Sequence, residues 1–157
     1  MNEIPQPSEI LLLKIGELTL KGQNRRTFEE QLIKNLRQVL APLGEWQFQL
    51  SQSTLQAVPL APGIDMREAA ARAARVFGLS GYSRAARAPK EMEAVKRVCA
   101  SFLAQRLQSA ATFKVEAKRS DKSFPLNSPQ ICEAVGEHLL EQFPHLRVDV
   151  HHPEVTV

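Results

Sequence analysis

The chain has 157 residues, 43% of them hydrophobic and 24% charged, with two cysteines and a formal net charge of +3; these proportions fit one globular domain or two small ones and exclude disordered, collagenous and coiled-coil classes. No apolar run approaches the roughly 20 residues of a membrane helix, and Met1 to Ser8 lacks the basic and apolar regions of a signal peptide, so the expected location is the cytoplasm, away from membranes. Cys99 and Cys132 have no second Cys or His at ligand spacing, which argues against a disulfide framework and against a zinc site.

Glu9 to Ile15 reads as a short buried strand. From Asn24 the pattern turns helical: Phe28, Leu32, Leu36, Val39 and Leu43 share one face, Asn24 is the expected N-cap, and Pro42-Leu43-Gly44 is the stop. Trp46, Phe48 and Leu50 alternate along a second strand. Ser51-Gln52-Ser53 turns the chain, and Thr54 to Val58 completes a hairpin. Asp65 and Glu68 predict a capping box for an Ala-rich helix that runs to Phe77 and is closed by Gly78. Ser80 to Ala86 supplies a fourth strand. The order strand, helix, strand, strand, helix, strand is that of the ferredoxin-like split βαβ, with two helices on one face of a four-stranded antiparallel sheet.

Pro89 suits the first turn of an amphipathic helix marked by Met92, Val95, Cys99, Phe102 and Leu107. Thr112 to Ala117 alternates as a strand, and Lys118 to Asn127 is a loop. Ser128 and Pro129 predict an N-cap and first helical position. That helix continues through Ile131, Val135, Leu139 and Phe143 and ends at Pro144. Arg147 to Val150 and Pro153 to Val157 are extended around a His151-His152-Pro153 bend. The expected fold class is α+β, with one domain over residues 1–84 and a second over 85–157. The last extended run stops at Val157 without a turn or cap, which predicts a piece of a longer polypeptide.

Charge is unevenly spread. Residues 83–128 carry ten Lys and Arg against four Asp and Glu, a net of +6, between stretches of +1 and −4. Such a block points to an acidic partner, phosphate above all. Lys118, Arg119 and Lys122 fall within five residues, after a strand and just before a helix N-terminus, where free amides and the helix dipole favour an anion. Ser120, Ser123 and Ser128 add hydroxyls. Phe124 either stacks on an unpaired base or packs beneath the loop. A second basic stretch, Lys14 to Arg26, places Lys21, Arg25 and Arg26 at the start of the first helix. It lacks the GxxxxGK[ST] phosphate loop and reads equally as a binding element or as solvated charge. The carboxylates show no pairing for general acid–base work, so no catalytic centre is expected. Glu133, Glu137 and Glu141 form an acidic stripe expected to face away from RNA.

Three segments, IGELTLKGQNRR at 15–26, KRSDKSFPLNSPQI at 118–131 and VDVHHPEVTV at 148–157, resemble the tRNA sulfurtransferases (4-thiouridine synthetases) of the ThiI family, named for thiamine biosynthesis. The resemblance implies a ferredoxin-like domain followed by an RNA-binding THUMP domain whose C-terminal part is missing. Together they would hold the acceptor stem and 3′ end of tRNA for thiolation of uridine 8. The family's catalysis belongs to a downstream ATP-pyrophosphatase domain. Its SGGxDS loop, its ATP and magnesium, and its catalytic cysteines have no counterpart in these residues, so no cofactor is expected here and neither Cys99 nor Cys132 inherits a catalytic role. Implied partners are tRNA, that catalytic domain and a sulfur-donor desulfurase of the parent; a homodimer is left open. The alternatives are the THUMP front end of another tRNA-modifying enzyme, such as a methyltransferase or pseudouridine synthase, and a ferredoxin-like regulatory or dimerisation module.

Overall fold

The computed structural model describes residues 9–16 and 24–157. The chain divides into two compact units, with the boundary between Arg87 and Ala88.

The first unit contains β1 (Glu9–Ile15), α1 (Arg25–Leu40), β2 (Trp46–Ser51), β3 (Thr54–Pro59), α2 (Met66–Ala73) and β4 (Leu79–Ala86). The strands lie in the order β2-β3-β1-β4, every neighbouring pair antiparallel, which is the split βαβ sheet the element order predicts. Register sets which side chains meet the helices. Leu11 lies opposite Ala57 and Leu13 opposite Leu55, all four with no exposed surface. They pack with Leu32, Leu36 and Leu40 of α1 and with Ala69 and Ala73 of α2. The small Ala face of α2 lets that helix lie close to the sheet.

Several ends differ from expectation. Asn24 does precede α1, but its side chain makes no capping hydrogen bond. Asp65 caps α2 by accepting from the amides of Arg67 and Glu68 at 3.0 and 3.2 Å. Glu68 does not close the box; it pairs with Arg72 one turn on, at 3.0 Å. Trp46 is buried and its Nε1 donates to the Leu40 carbonyl at 3.2 Å, whereas Leu50, expected on the same face, is exposed at the hairpin end of β2, where burial along the strand has fallen away. Helix α2 ends at Ala73, not Phe77. The chain then turns through Gly78 at φ +105°, a left-handed value that favours glycine. The Phe28 ring lies directly over that position.

The second unit contains α3 (Met92–Phe102), α4 (Ala104–Ser109), β5 (Thr112–Lys114), α5 (Ser128–Gln142), β6 (Arg147–Val148) and β7 (Val155–Thr156). Strand β5 is central and pairs in parallel with β6 on one side and β7 on the other. The helix expected from Pro89 begins later, at Met92 after an extended Glu91, and breaks at Leu103 into two pieces. Leu107 lies on the second piece and is fully buried. The core joins Leu107, Phe113, Val135, Leu139, Phe143, Leu146 and Val155.

The Gly78 geometry gives a stability prediction. A Cβ there would sit 2.4 Å from the Phe28 ring, in a backbone conformation that L side chains rarely adopt. Gly78→Ala should cost about 2 kcal/mol, read as a lower urea midpoint with unchanged slope.

Candidate nucleic-acid interface

The loop from Lys118 to Asn127 leaves the central strand β5 and enters α5, so both its ends are anchored in the second unit's core. Its polar groups fall into two classes. Some hold the loop together, and others remain on its surface.

Arg119 belongs to the first class. Its side chain is half-buried, and its Nη1 donates to the carbonyl of Phe124 at 3.3 Å and, more weakly, to that of Leu126 at 3.5 Å. Its backbone amide donates to Ser128 Oγ at 3.1 Å. The guanidinium therefore acts chiefly as an internal clamp on the loop backbone. Ser128 is not the helix cap. Asn127 fills that place: its side chain accepts from the Gln130 amide at 2.9 Å, and Gln130 accepts in return from the Asn127 amide at 2.9 Å. The cap lies one residue before the expected position, because Ser128 Oγ is engaged by Arg119. This box, with Pro129 lacking an N–H, satisfies most of the donors that the α5 N-terminus would otherwise offer an anion.

Asp121 is the second organiser. It accepts from the Ser123 amide at 3.0 Å and from Ser123 Oγ at 2.6 Å, and Lys90 Nζ lies 2.8 Å from its other oxygen. Lys90 first, then Ser123, holds the Asp121 carboxyl well below the usual carboxylate range. Ser123 is thus turned inward on Asp121, and Phe124 is half-buried.

Lys118, Ser120 and Lys122 form the second class. All three are exposed, and no hydrogen bond or ion pair engages their side chains among the described residues. They are the groups of this loop that its internal network leaves unengaged.

The remaining expected residues belong to the first unit. Arg25 and Arg26 stand in the first turn of α1, each paired with a glutamate four residues on: Arg25 with Glu29 at 2.8 Å, Arg26 with Glu30 at 3.1 Å. Arg25 also reaches the Gln52 carbonyl at 3.3 Å. These pairs lower their net charge, and exposed pairs of this kind contribute little stability. Lys21 lies outside the described residues.

Elsewhere in the second unit, Glu133, Glu137 and Glu141 are exposed and rim an open groove of about 790 Å³ floored by Val115, Leu140, Val148 and Val150. Carboxylates there repel phosphate, so this face does not suit RNA. A smaller groove of about 510 Å³ between α3, α4 and α5 is lined by Arg97, Ser101, Gln108, His138 and Gln142. Sequence reading missed it, since these polar residues are scattered over three helices and no local spacing links them. His151 and His152 donate their backbone amides to Asp149 Oδ1 at 3.0 and 2.9 Å, a bend as expected. Among the described residues no three His, Cys, Asp or Glu side chains could hold a metal ion, and no helix is long and apolar enough to cross a membrane.

Comparison with known proteins bears on both units. Residues 10–83 match the model of the ThiI ferredoxin-like domain, and residues 89–157 match that of the THUMP domain. Over 147 residues the chain is 40% identical to a "Probable tRNA sulfurtransferase" from Moorella thermoacetica, covering 94% of this chain and 36% of that protein. Over 147 residues it is 35% identical to another so named from Staphylococcus saprophyticus, again covering 94% of this chain and 36% of the relative. The fold matches a 4-thiouridine synthetase crystallised with RNA and ATP with a TM-score of 0.79 at 24% identity, covering 94% of this chain and 37% of that one. The chain thus spans little more than a third of the length of these relatives.

The network around Asp121 sets a pH expectation. A carboxylate whose folded pKa is depressed stabilises above its ordinary value, near 3.8, and that contribution disappears as pH falls through the folded value. The loop should therefore hold its order at neutral pH and loosen only in acid below about pH 4. Asp121→Asn should loosen it at neutral pH; faster hydrogen exchange of the Ser123 amide is the readout.

Proposed function

The chain belongs to the ThiI family of tRNA sulfurtransferases across its ferredoxin-like and THUMP regions, and on that premise we propose that it is the tRNA-binding part of a 4-thiouridine synthetase, one that holds the acceptor stem and 3′ end while uridine 8 is thiolated by a separate catalytic domain. The observation that carries this reading is the loop after β5. Arg119, Asp121, Asn127 and Ser128 lock its shape, and Lys118, Ser120 and Lys122 stand exposed on it, the two lysines with their charges uncompensated. A rigid frame presenting free cations binds phosphate at small entropic cost. Arg119, Ser123 and Ser128 act as positioning residues, and Phe124, half-buried, supports the loop from beneath. Arg25 and Arg26, with Lys21, form a secondary basic element on the ferredoxin-like unit.

The ATP chemistry of the parent enzyme is left to the separate catalytic domain. No SGGxDS loop occurs in the sequence, and the glycine-bearing stretch before α1 lacks the phosphate-loop pattern. The chain's working compartment would be the cytoplasm, where tRNA is modified. A desulfurase and the catalytic domain would be partners of the parent enzyme.

Replacing both Lys118 and Lys122 with Ala should weaken binding to labelled tRNA. It should also lower the slope of log K against log salt by up to about 1.8, roughly 0.9 for each phosphate that a lysine no longer neutralises at duplex charge density. Fluorescence anisotropy at several salt concentrations measures both. Equal affinity and equal slope in the double variant would remove the loop from the interface.

A further inference from the structure

The most exposed large hydrophobic side chain among the described residues is Phe77, at 84%. It sits between α2 and β4 of the ferredoxin-like unit. Its position is held firmly on both sides. The preceding Val76 is buried in the core, and its amide donates to the Ala73 carbonyl at 3.0 Å. The following Gly78 is pressed under the Phe28 ring, and its carbonyl accepts from the Gly16 amide at 2.9 Å. The backbone on either side is therefore anchored while the ring projects outward, which leaves a phenyl face in water.

The surroundings favour one kind of ligand. Arg75, two residues earlier, is exposed, and its guanidinium has no partner among the described residues. A shallow depression of about 220 Å³ is lined by Ala74, Leu79, Ser80, Gly81 and Tyr82, residues that flank Phe77 in sequence, and Tyr82 is itself half-exposed. A protein partner would ask for a contiguous apolar patch; here the large exposed apolar side chains of the segment are two rings, Phe77 and Tyr82, among arginine, glycine and serine. A nucleobase asks for an aromatic face with cations close by for its phosphate.

We propose that Phe77 is a stacking platform for an unpaired RNA base, with Arg75 taking an adjoining phosphate. This site lies on the ferredoxin-like unit and is distinct from the loop at 118–128, though it rests on the reading that the chain binds RNA. Stacking is insensitive to salt, unlike the lysine contacts.

The test uses the full chain with end-labelled tRNA, either intact or trimmed of its single-stranded 3′ end. Phe77→Ala should keep the parent melting curve, because the ring is exposed. It should weaken binding of the intact tRNA about tenfold without changing the salt slope. Phe77→Trp should restore affinity and show indole fluorescence quenched by the bound base, measured against the buried Trp46 of the parent. The trimmed tRNA should lose the Phe77 effect. The proposal is overturned if Phe77→Ala binds intact tRNA as the parent does, or if Phe77→Trp binds without quenching. A change in sedimentation coefficient on Phe77→Ala in the absence of RNA would instead mark a protein contact and equally overturn it. Failure of the parent chain to bind any tRNA would overturn both this site and the RNA reading, whereas normal parent binding with a silent Phe77 sinks this site alone.

Discussion

The second unit depends on β5, three residues with a neighbour on each side. Thr112, Phe113 and Lys114 pair in parallel with β6 and β7, and Phe113 has no exposed surface. Parallel ladders need both faces and both edges supported to hold short strands in register. Here backbone bonds extend the support beyond the strand itself: the Asp149 amide donates to the Phe113 carbonyl at 3.0 Å, and the Glu116 amide donates to the Val157 carbonyl at 2.9 Å. The chain leaves this strand through Val115, Glu116 and Ala117 into the basic loop. The loop's position is therefore set by core packing, with α5 closing its other end.

Within that frame, Arg119, Asp121, Ser123, Asn127 and Ser128 have structural tasks, whereas Lys118, Ser120 and Lys122 have none. A guanidinium bonded to backbone carbonyls, a carboxylate accepting from two donors of one serine and a capping box at the helix start make a self-satisfied network of the kind that rigidifies a surface segment. Lysine is suited to the remaining work. Its compact ammonium on a flexible stem can follow an anion without disturbing the frame, whereas one nitrogen of Arg119, Nη1, is shared between the converging carbonyls of Phe124 and Leu126.

The first unit has its own constraint, the contact of Phe28 with Gly78. It ties the start of α1 to the chain just after α2 and sets Val76 inward and Phe77 outward. The two units so differ in what they leave exposed: one a loop with free ammonium groups, the other an aromatic ring.

Hydrophobic patterning was sufficient to locate both units' elements, since strands of period two and helices of period 3.6 are local properties. The apolar run in Glu9 to Ile15 and the three- and four-residue steps through Leu32 and Leu36 carry the ferredoxin-like order without any knowledge of contacts. The basic loop and its flanking segments were equally legible, because their composition is concentrated in a dozen residues. Boundaries were not. The helix expected to reach Phe77 stops at Ala73, the cap expected at Ser128 is Asn127, and the box expected at Asp65 is half-formed. Each turns on a partner elsewhere: Gly78 under Phe28, Ser128 claimed by Arg119, and Glu68 drawn to Arg72. Sequence alone determined the elements and the charge that seeks phosphate. Only the tertiary structure decided which charges are engaged and which are free, because that depends on donors and acceptors that converge in space from positions too far apart, or too ambiguous in local pattern, for any spacing rule to pair.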